Sequence, residues 1–353
     1  MKISDIADII NVSVKDPSKS GIDVFVGLEH YDIAEPVIKR CGSTKMLSTA
    51  AKKFEAGDVL IARRNVYLQR AAVARFSGLT SGDSIILRVK ENLSTKDTDY
   101  ETMCKLLPFV LNSINFWDYA NTNADGTMSK RLSPAMLLEY EFNLPSIDEQ
   151  KVLADKLWAA YEVKQSYLRM IEATEKMVKS QFIEMFNGDY HKEKWEECMS
   201  ITNGKKYEGE YQETGTFPIC GSGGVMGYGE SKLCNKDTVI LGRKGNINSP
   251  IYMSNDYWIV DTAFSLDVDR QKLQPKYFFF WCKQFDFTKY NKQGVLPSLT
   301  KNDLLKIEMP IPPMELQNKF VAILEQADKS ENVIHKSIET IDQDIKSLIN
   351  ENL

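Results

Sequence analysis

The sequence predicts an α+β protein in which two mixed α/β domains are joined by two long helices. Three observations support this prediction. A segment that runs from Leu132 to Gln150 recurs, without a gap, 167 positions later from Leu299 to Gln317. Each copy opens a stretch of about 35 residues whose apolar positions have helical spacing. The regions between these stretches contain short β-branched and aromatic runs that are bounded by Gly, Asp and Asn, as strands are.

The repeat divides the chain of 353 residues into four segments. Residues 1–143 and 188–309 are the predicted α/β domains, and residues 144–187 and 310–353 are the predicted helical segments. Lys and Arg balance Asp and Glu in both α/β segments, at 18 against 18 and 16 against 16, so the net charge of −5 lies in the helical segments. Any DNA-binding surface must therefore be local, and the acidic helices suit a protein partner.

Each α/β segment contains two clear strand signals and one short helix. Residues 54–62 indicate a turn followed by a strand, and residues 84–89 indicate a second strand. The second α/β segment has strand signals at residues 237–242 and 257–260. Short helices are predicted before each repeat, at residues 104–117 and 275–285. We expect one small, strongly curved sheet in each domain.

The two long helices follow prolines, Pro145 in the first copy and Pro312-Pro313 in the second. Apolar side chains then recur at alternating spacings of four and three, which is the heptad seam of a coiled coil. A stripe this narrow suits a two-helix seam of about 50 Å, although two helices in an ordinary bundle remain the alternative. The predicted seam and partner-binding residues are Leu153, Leu157, Tyr167, Ile171 and Val178 in the first helix, and Phe320, Leu324, Ile334, Ile338, Ile341 and Ile345 in the second.

Motifs for catalysis are absent from the sequence. The glycine-rich segment from Gly221 to Gly227 lacks dinucleotide-binding spacing because Met226 takes the place of the third glycine, and no P-loop occurs. The six cysteines form no C-x-x-C pair and the three histidines are isolated, so no metal site or catalytic triad is predicted. No stretch approaches the ~18 apolar residues of a membrane span, and we expect a cytoplasmic protein with reduced thiols.

Basic residues follow a predicted strand in both α/β segments, and a second basic cluster precedes each repeat. Arginine can contact phosphate or guanine with two hydrogen bonds, and Asn or Gln can contact adenine. For any single cluster, a solvated loop is the alternative interpretation. The candidate DNA-binding residues are Arg63, Arg64, Arg70, Lys130 and Arg131 in the first segment, and Arg243, Lys244, Asn246, Asn248, Lys292 and Gln293 in the second.

Over nearly its whole length the chain resembles the specificity (S) subunit of type I restriction-modification enzymes. The most specific parts of the resemblance are the two helix starts, LPSIDEQ at residues 144–150 and IPPMELQ at residues 311–317. Residues 54–60, 241–245 and 258–264 support it. Leu316 departs from the pattern because the first copy has Glu149 at that place.

The resemblance implies two target-recognition domains separated by helices that pair as an antiparallel coiled coil. Each domain would read one half of a bipartite target in double-stranded DNA. The helices would set the spacing between the halves and dock two methyltransferase (M) subunits, and a restriction (R) subunit could join. The chain is expected to be non-catalytic and to hold no metal or cofactor, since the M subunits would methylate adenine N6 with S-adenosylmethionine. Two recognition domains held on a helical spacer of about 50 Å could contact the same face of a DNA duplex at points one helical turn, ~34 Å, apart.

Two other function classes stay open. A non-catalytic scaffold, whose α/β domains bind proteins or carbohydrates, would need the same architecture. Binding to random duplex DNA across a salt series separates this scaffold from a DNA reader, because phosphate contacts make DNA binding salt-dependent. A self-sufficient methyltransferase or nuclease lacks every catalytic motif that it would need.

Overall fold

The same four-stranded antiparallel sheet is built twice along the chain. The computed structural model describes residues 1–127, 129–291 and 297–353, and the fold divides into two units. The first unit contains residues 1–169 and 334–353, and the second contains residues 170–333. The predicted α+β class, with two mixed α/β parts and two long helices, is confirmed.

In the first unit, one sheet has four strands in the order β1-β9-β6-β7 and the other has five in the order β2-β5-β8-β3-β4. All pairs are antiparallel except β3 with β8. The strands are β1 (Ala7–Ile10), β2 (Val12–Val14), β3 (Val24–Val26), β4 (Gly42–Ser43), β5 (Ala51–Phe54), β6 (Val59–Ala62), β7 (Ala71–Val73), β8 (Gly78–Thr80) and β9 (Ser84–Val89). The helices that begin in this unit are α1 (Ile3–Ile6), α2 (Tyr100–Val110), α3 (Ile114–Thr122), α4 (Pro134–Leu138) and α5 (Ile147–Met185).

The second unit repeats this plan with a smaller second sheet. Its four-stranded sheet has the order β11-β17-β14-β15, its three-stranded sheet has the order β13-β12-β16, and β10 pairs with β18. The pair β12–β16 is parallel, as β3–β8 is in the first unit. The elements are β10 (Lys192–Lys194), α6 (Trp195–Cys198), β11 (Met199–Asn203), β12 (Phe217–Gly221), β13 (Gly224–Gly229), β14 (Thr238–Gly242), β15 (Ile251–Met253), β16 (Trp258–Ile259), β17 (Ala263–Val268), α7 (Pro275–Gln284), α8 (Lys301–Leu304), β18 (Glu308–Pro310) and α9 (Met314–Asn352).

Inner strands form where β-branched runs can be buried on both faces. Every residue of β6 and of β14 is buried, because each strand lies between two others and under the short helices of its unit. Their alternate side chains enter different cores: Val59 and Ile61 pack in one cluster, whereas Leu60 and Ala62 pack in another. The predicted strands at residues 84–89 and 237–242 correspond to β9 and β14.

Two sequence predictions about the α/β parts are wrong. The helix predicted at residues 104–117 is two helices, α2 and α3, because Ser113 starts a new helix by accepting a hydrogen bond from Phe116 N at 3.1 Å. Each unit also holds a second sheet beyond the single sheet that was expected. The strands of these second sheets are mostly two to five residues long, too short for a period-two pattern to reveal all of them.

Both long helices have 39 residues, which corresponds to about 58 Å rather than the expected 50 Å. Each begins within the last four residues of its copy of the repeated segment, at Ile147 and at Met314. The compact units divide both helices: residues 147–169 and 334–352 lie in the first unit, and residues 170–185 and 314–333 lie in the second.

Candidate nucleic-acid interface

Each unit carries a basic loop directly after an inner strand of its four-stranded sheet. Basic loop 1 consists of residues 63–70, after β6, and basic loop 2 consists of residues 243–250, after β14. Both strands are bonded to neighbours on two sides. The residue that follows such a strand therefore starts from a fixed backbone position, which suits a side chain that must be presented with a defined geometry.

Backbone hydrogen bonds hold the first residues of basic loop 1. Arg63 N–H donates to Asp83 O at 3.0 Å, and Arg63 O accepts from Leu132 N–H at 2.9 Å. Asn65 N–H donates to Lys130 O at 2.8 Å. The loop is therefore tied both to the turn before β9 and to the segment that opens the sequence repeat.

Equivalent backbone hydrogen bonds hold the first residues of basic loop 2. Arg243 N–H donates to Thr262 O at 2.8 Å, and Arg243 O accepts from Leu299 N–H at 2.9 Å. Gly245 N–H donates to Pro297 O at 2.9 Å. Leu132 and Leu299 are the first residues of the two sequence copies, so the duplication extends from the helices to the framework of the basic loops.

Basic loop 1 stores backbone strain around an exposed tyrosine. Asn65 and Gln69 have φ values of 56° and 49°, in the left-handed region that side chains disfavour. They bracket a 3-10 turn at Val66–Leu68 that leaves Tyr67 59% exposed. Gly245, at the place that matches Asn65, has φ +76°. Strain of this kind persists where the surroundings impose it and is concentrated at functional sites.

Two arginines of the first unit flank one carboxylate, and these arginines keep spare hydrogen-bond donors. Arg64 Nη1 and Arg131 Nη2 lie 3.9 and 3.8 Å from the oxygens of Asp83, and their side chains are 46% and 48% exposed. Arg64 Nε also donates to Ser129 Oγ at 3.0 Å. Long ion pairs at exposed positions are weak, so these guanidinium groups can exchange Asp83 for a phosphate or base edge.

Lys130 and Arg70 differ in how firmly burial and hydrogen bonds hold their side chains. Lys130 is exposed, and its Nζ donates to Asn121 O at 2.9 Å. Arg70 is half-buried, and its Nη atoms donate to Leu28 O at 2.9 Å and Arg64 O at 3.0 Å. Burial lowers the pKa of Arg70. The structure therefore gives Arg70 the role of fixing basic loop 1, whereas Lys130 lies at its surface.

A further cation, Lys52, lies near Arg63 at this surface, and the sequence reasoning missed it. Arg63 is half-buried, and its Nε has no hydrogen-bond partner among the described residues. Lys52, on β5, donates from Nζ to Ser84 O at 3.0 Å. Burial, and then the nearby positive charge of Arg63, lower the pKa of Lys52. An anion that approached this pair of cations would stabilise the charged form of Lys52. Lys52 reaches this position because β5 pairs with strands that are distant in the sequence.

In basic loop 2, Arg243 is half-buried, with its guanidinium carbon 5.9 Å from the centre of the Phe264 ring, whereas Lys244 and Asn246 are exposed. A Cβ on Gly242 would lie 1.8 Å from Asn246 O, so the loop folds back onto the end of β14 and requires glycine there.

Asn248 is exposed as a residue, but its Oδ1 accepts a hydrogen bond from Phe287 N at 2.8 Å, which fixes the loop to the segment after α7. Lys292 and Gln293, the other two candidates of this segment, lie outside the residues that the structure describes. The contact assignments for both units stay predictions.

All predicted seam residues of the two long helices are buried or half-buried. In the first unit, Leu153 and Leu157 are buried in the core, with Ile345 packed against it. Lys164 Nζ lies 2.6 Å from Asp342 Oδ1 across the two helices. Leu153 also lines a groove with Leu348 and Asn352, so the helices run antiparallel here.

In the second unit, Val178 and Phe320 are buried in a common core. Phe182, next to the predicted stripe, has its ring centre 5.1 Å from that of Phe320. Other apolar side chains of these helices are exposed, and the seam pattern did not single them out: Val152, Val163, Leu168, Met170, Met177, Ile183 and Val333. Within each unit, these exposed apolar side chains are candidates for contact with a protein partner.

A buried glutamine locks each long helix to the α/β part of its own unit. Gln150 has no exposed surface, and its Nε2 donates to Asp97 O at 2.6 Å and Pro145 O at 2.8 Å. Its Oε1 accepts from Thr98 Oγ1 at 2.8 Å. All three hydrogen bonds join the first turn of α5 to the segments before α2 and before α5 itself.

Gln317 repeats this arrangement in α9. It is fully buried, donates to Lys272 O at 2.9 Å and Pro312 O at 2.8 Å, and accepts from Gln274 N at 2.8 Å. The glutamine that ends each helix-start motif is thus a structural anchor. The departure at Leu316 has a local consequence, because Glu149 accepts two hydrogen bonds from Ser146 that leucine cannot accept.

Among the described residues, no group of three or more His, Cys, Asp or Glu side chains could hold a metal ion. No helix in the described ranges is long and apolar enough to cross a membrane.

Comparisons with known proteins agree with this picture. Residues 187–343 match the family model of the type I restriction modification DNA specificity domain. For these residues the resemblance read from the sequence is confirmed. No curated protein matches the chain.

Two solved structures are similar to the chain over its whole length. One is the crystal structure of the type I restriction-modification system S subunit from M. genitalium, at 16% sequence identity and a TM-score of 0.64, with 100% of this chain and 95% of that chain covered. The other belongs to work on complex assembly and conformational transition of the type I R-M system, at 15% identity and a TM-score of 0.58, covering 100% and 97%. At these identities the likeness establishes the fold.

Proposed function

We propose that this chain is the DNA-sequence specificity subunit of a type I restriction-modification enzyme. The observation that carries the proposal is the pair of basic loops held by matching backbone hydrogen bonds, one of them inside the segment that matches the specificity-domain family. A duplicated reader is expected for a target with two halves, because each unit can present its own side chains to its own base pairs.

Residues 1–143 and 188–309 are the proposed target-recognition domains, and residues 144–187 and 310–353 are the proposed spacers. In the first domain, Arg64, Lys130 and Arg131 supply donors for phosphates or guanine edges. In the second, Arg243 and Lys244 have that role. Arg63 and Arg70 support the first surface from partly buried positions.

Amide side chains extend the readout in the second domain. Asn246 is exposed and can pair with adenine, which offers one donor and one acceptor in the major groove. Asn248 already accepts one hydrogen bond through its Oδ1, so we assign its contact with DNA to the Nδ2 donors. Lys292 and Gln293 are proposed as contacts from the sequence alone.

The long helices are proposed to set the spacing of the half-sites and to dock two M subunits, with R subunits as further partners. Their acidic charge discourages contact with DNA, and their exposed apolar side chains suit a protein surface. The chain itself is proposed to be non-catalytic. Methylation of adenine N6 with S-adenosylmethionine would then take place in the M subunits, which would hold the cofactor.

The first test identifies the target. Mapping methylated adenines in the genome of the source organism should give a split, asymmetric motif with a nonspecific spacer. Binding of the full-length chain, co-purified with its M subunits, to that duplex should weaken linearly in log–log form as salt rises. Absence of any salt-sensitive binding to DNA would favour the scaffold alternative.

The second test separates the two readers. Arg243→Ala should weaken binding by roughly 5- to 150-fold, with relaxed base preference at one half-site only. Arg270→Ala is the matched control, because Arg270 lies in the same unit but donates to Asp237 O, at the far end of β14. Equal loss of discrimination at both half-sites after Arg243→Ala would contradict independent readers.

A further inference from the structure

The glycine-rich segment that fits no cofactor motif is a β-hairpin with an apolar tip. Strands β12 and β13 pair from Phe217 with Gly229 up to Gly221 with Gly224, and a two-residue turn joins them. Gly224 has φ +106°, which its lack of a side chain permits. No charged residue occurs between positions 214 and 229.

Two consecutive apolar residues at this tip face solvent. Val225 is 54% exposed and Met226 is 60% exposed. The register shifts between Ile219 and Cys220, whose partners are Gly227 and Val225, so Met226 is the extra residue of a β-bulge. Bulges redirect a side chain and are common beside functional sites. The hairpin therefore turns an apolar side chain outward where the ladder would place none.

The tip adjoins basic loop 2. A Cβ on Gly242, the residue before Arg243, would lie 3.2 Å from Ser222 Cβ in the hairpin turn. Ser222 N–H donates to Thr262 Oγ1 at 3.3 Å, and the carbonyl oxygen of the same threonine accepts from Arg243 N–H. The hairpin tip and the basic loop are thus connected through one residue.

Met226 lies on the side of the hairpin that faces this connection. A Cβ on Gly221 would lie 3.0 Å from Met226 Sδ and 3.1 Å from Thr262 Oγ1. At the other end of the hairpin, Thr216 Oγ1 donates to the carboxylate of Glu230 at 2.9 Å. The charge-free tip therefore borders the cationic loop, and this carboxylate is held at the base.

We propose that Val225 and Met226 are specificity-determining residues that contact thymine C5-methyl groups in the half-site read by the second unit. This inference rests on the proposed function and deepens it. The major groove admits a two-stranded ribbon, and an apolar side chain distinguishes thymine there through its methyl group. Arg243 and Lys244 supply the phosphate or guanine contacts beside it, and continuity with that loop favours DNA over another protein as the occupant.

The test replaces each thymine of the mapped target with deoxyuridine, which removes only the methyl group. With the full-length chain and its M subunits, one or more substitutions in the second-unit half-site should weaken binding about fourfold, the effect of one buried methyl group. The double variant Val225→Ala with Met226→Ala should bind unsubstituted DNA more weakly and lose that deoxyuridine penalty. Ile33→Ala, at an equally exposed apolar residue of the first unit, should retain it.

The outcomes separate this inference from the proposed function. Failure of the unaltered complex to bind any duplex in a salt-sensitive manner would remove both. Normal binding with the same deoxyuridine pattern in the double variant would overturn the inference alone, and so would a second-unit half-site made only of G·C pairs. A double variant that binds DNA normally but no longer co-purifies with M subunits would identify the tip as a protein-docking element and overturn the inference.

Discussion

Gln150→Glu is the substitution that examines the link between helix and recognition domain most directly. The new carboxylate keeps the shape of the amide, and one oxygen can still accept from Thr98 Oγ1. The other oxygen replaces Nε2, which donates to Asp97 O and Pro145 O. Two hydrogen bonds are lost, and a buried negative charge faces two carbonyl oxygens.

The expected cost follows from these contacts. Each lost hydrogen bond contributes about 1 kcal/mol, and a buried charge without a partner raises the loss to about 3–5 kcal/mol at pH 7. Burial and the facing carbonyls should raise the folded-state pKa of Glu at position 150 above its ordinary value of about 4.3. The folded state then binds a proton more readily than the unfolded state. The deficit should therefore shrink as pH falls through the raised value, towards a remainder of about 1 kcal/mol.

Hydrogen exchange detected by mass spectrometry measures this locally, which matters because a chain of two units need not unfold in one step. Amides of residues 97–105 and 147–157 should lose roughly 150- to 5,000-fold in protection at pH 7, and should recover part of it at lower pH. Gln343→Glu, at an exposed site on α9, is the matched control, with an expected change within about 0.5 kcal/mol. Gln317→Glu should act only in the second unit. Unchanged protection in Gln150→Glu at pH 7 would refute the reasoning.

Three further predictions concern the helices and the thiols. Ile338→Asp, at a half-buried seam position, should reduce co-purification with M subunits or the stability of the first unit by about 2–4 kcal/mol, and unchanged assembly and unfolding would show that this stripe is not the seam. Lys164→Met should change stability by less than about 1 kcal/mol, because its ion pair with Asp342 is partly exposed; a larger loss in urea unfolding would mean a stronger pair. Iodoacetamide should label exposed Cys41 first, and peptide mapping should find Cys198 protected until the chain unfolds, since burial raises the pKa of that thiol to about 12; early labelling of Cys198 would contradict its burial.

The sequence predicted those features that depend on a local hydrophobic period or on the repeat. Heptad spacing needs only positions along the chain, so the sequence could predict seam residues without knowledge of their contacts, and all of them are buried or half-buried. The basic loops were found because Arg63-Arg64 and Arg243-Lys244 follow similar apolar runs in both halves. Most strands of the second sheets escaped detection, because two or three residues cannot display a period. The exception is β16, which the strand signal at residues 257–260 predicted.

Side-chain roles that depend on distant partners could not be predicted. Arg70 is held by Leu28 O, and Asn248 by Phe287 N, each about 40 positions away in the chain. From the sequence alone, Gln150 is an ordinary polar residue in the first turn of a helix. Its structural role depends on the loop at Asp97, which covers it in the fold. In each case, the sequence suggested a possible contact or a neutral position, whereas the side chain satisfies partly buried backbone groups in the fold.

The matching frames of the two basic loops have a consequence for how new specificities arise. Because main-chain atoms alone form those ties, we expect that exchanging the side chains at Arg64, Tyr67, Lys244 or Asn246 leaves the path of the polypeptide intact. Recognition chemistry can therefore diverge in one half of the molecule while the other half keeps its preference. A library randomised at these four codons should retain a large share of folded members, each with a different DNA preference on an unchanged backbone.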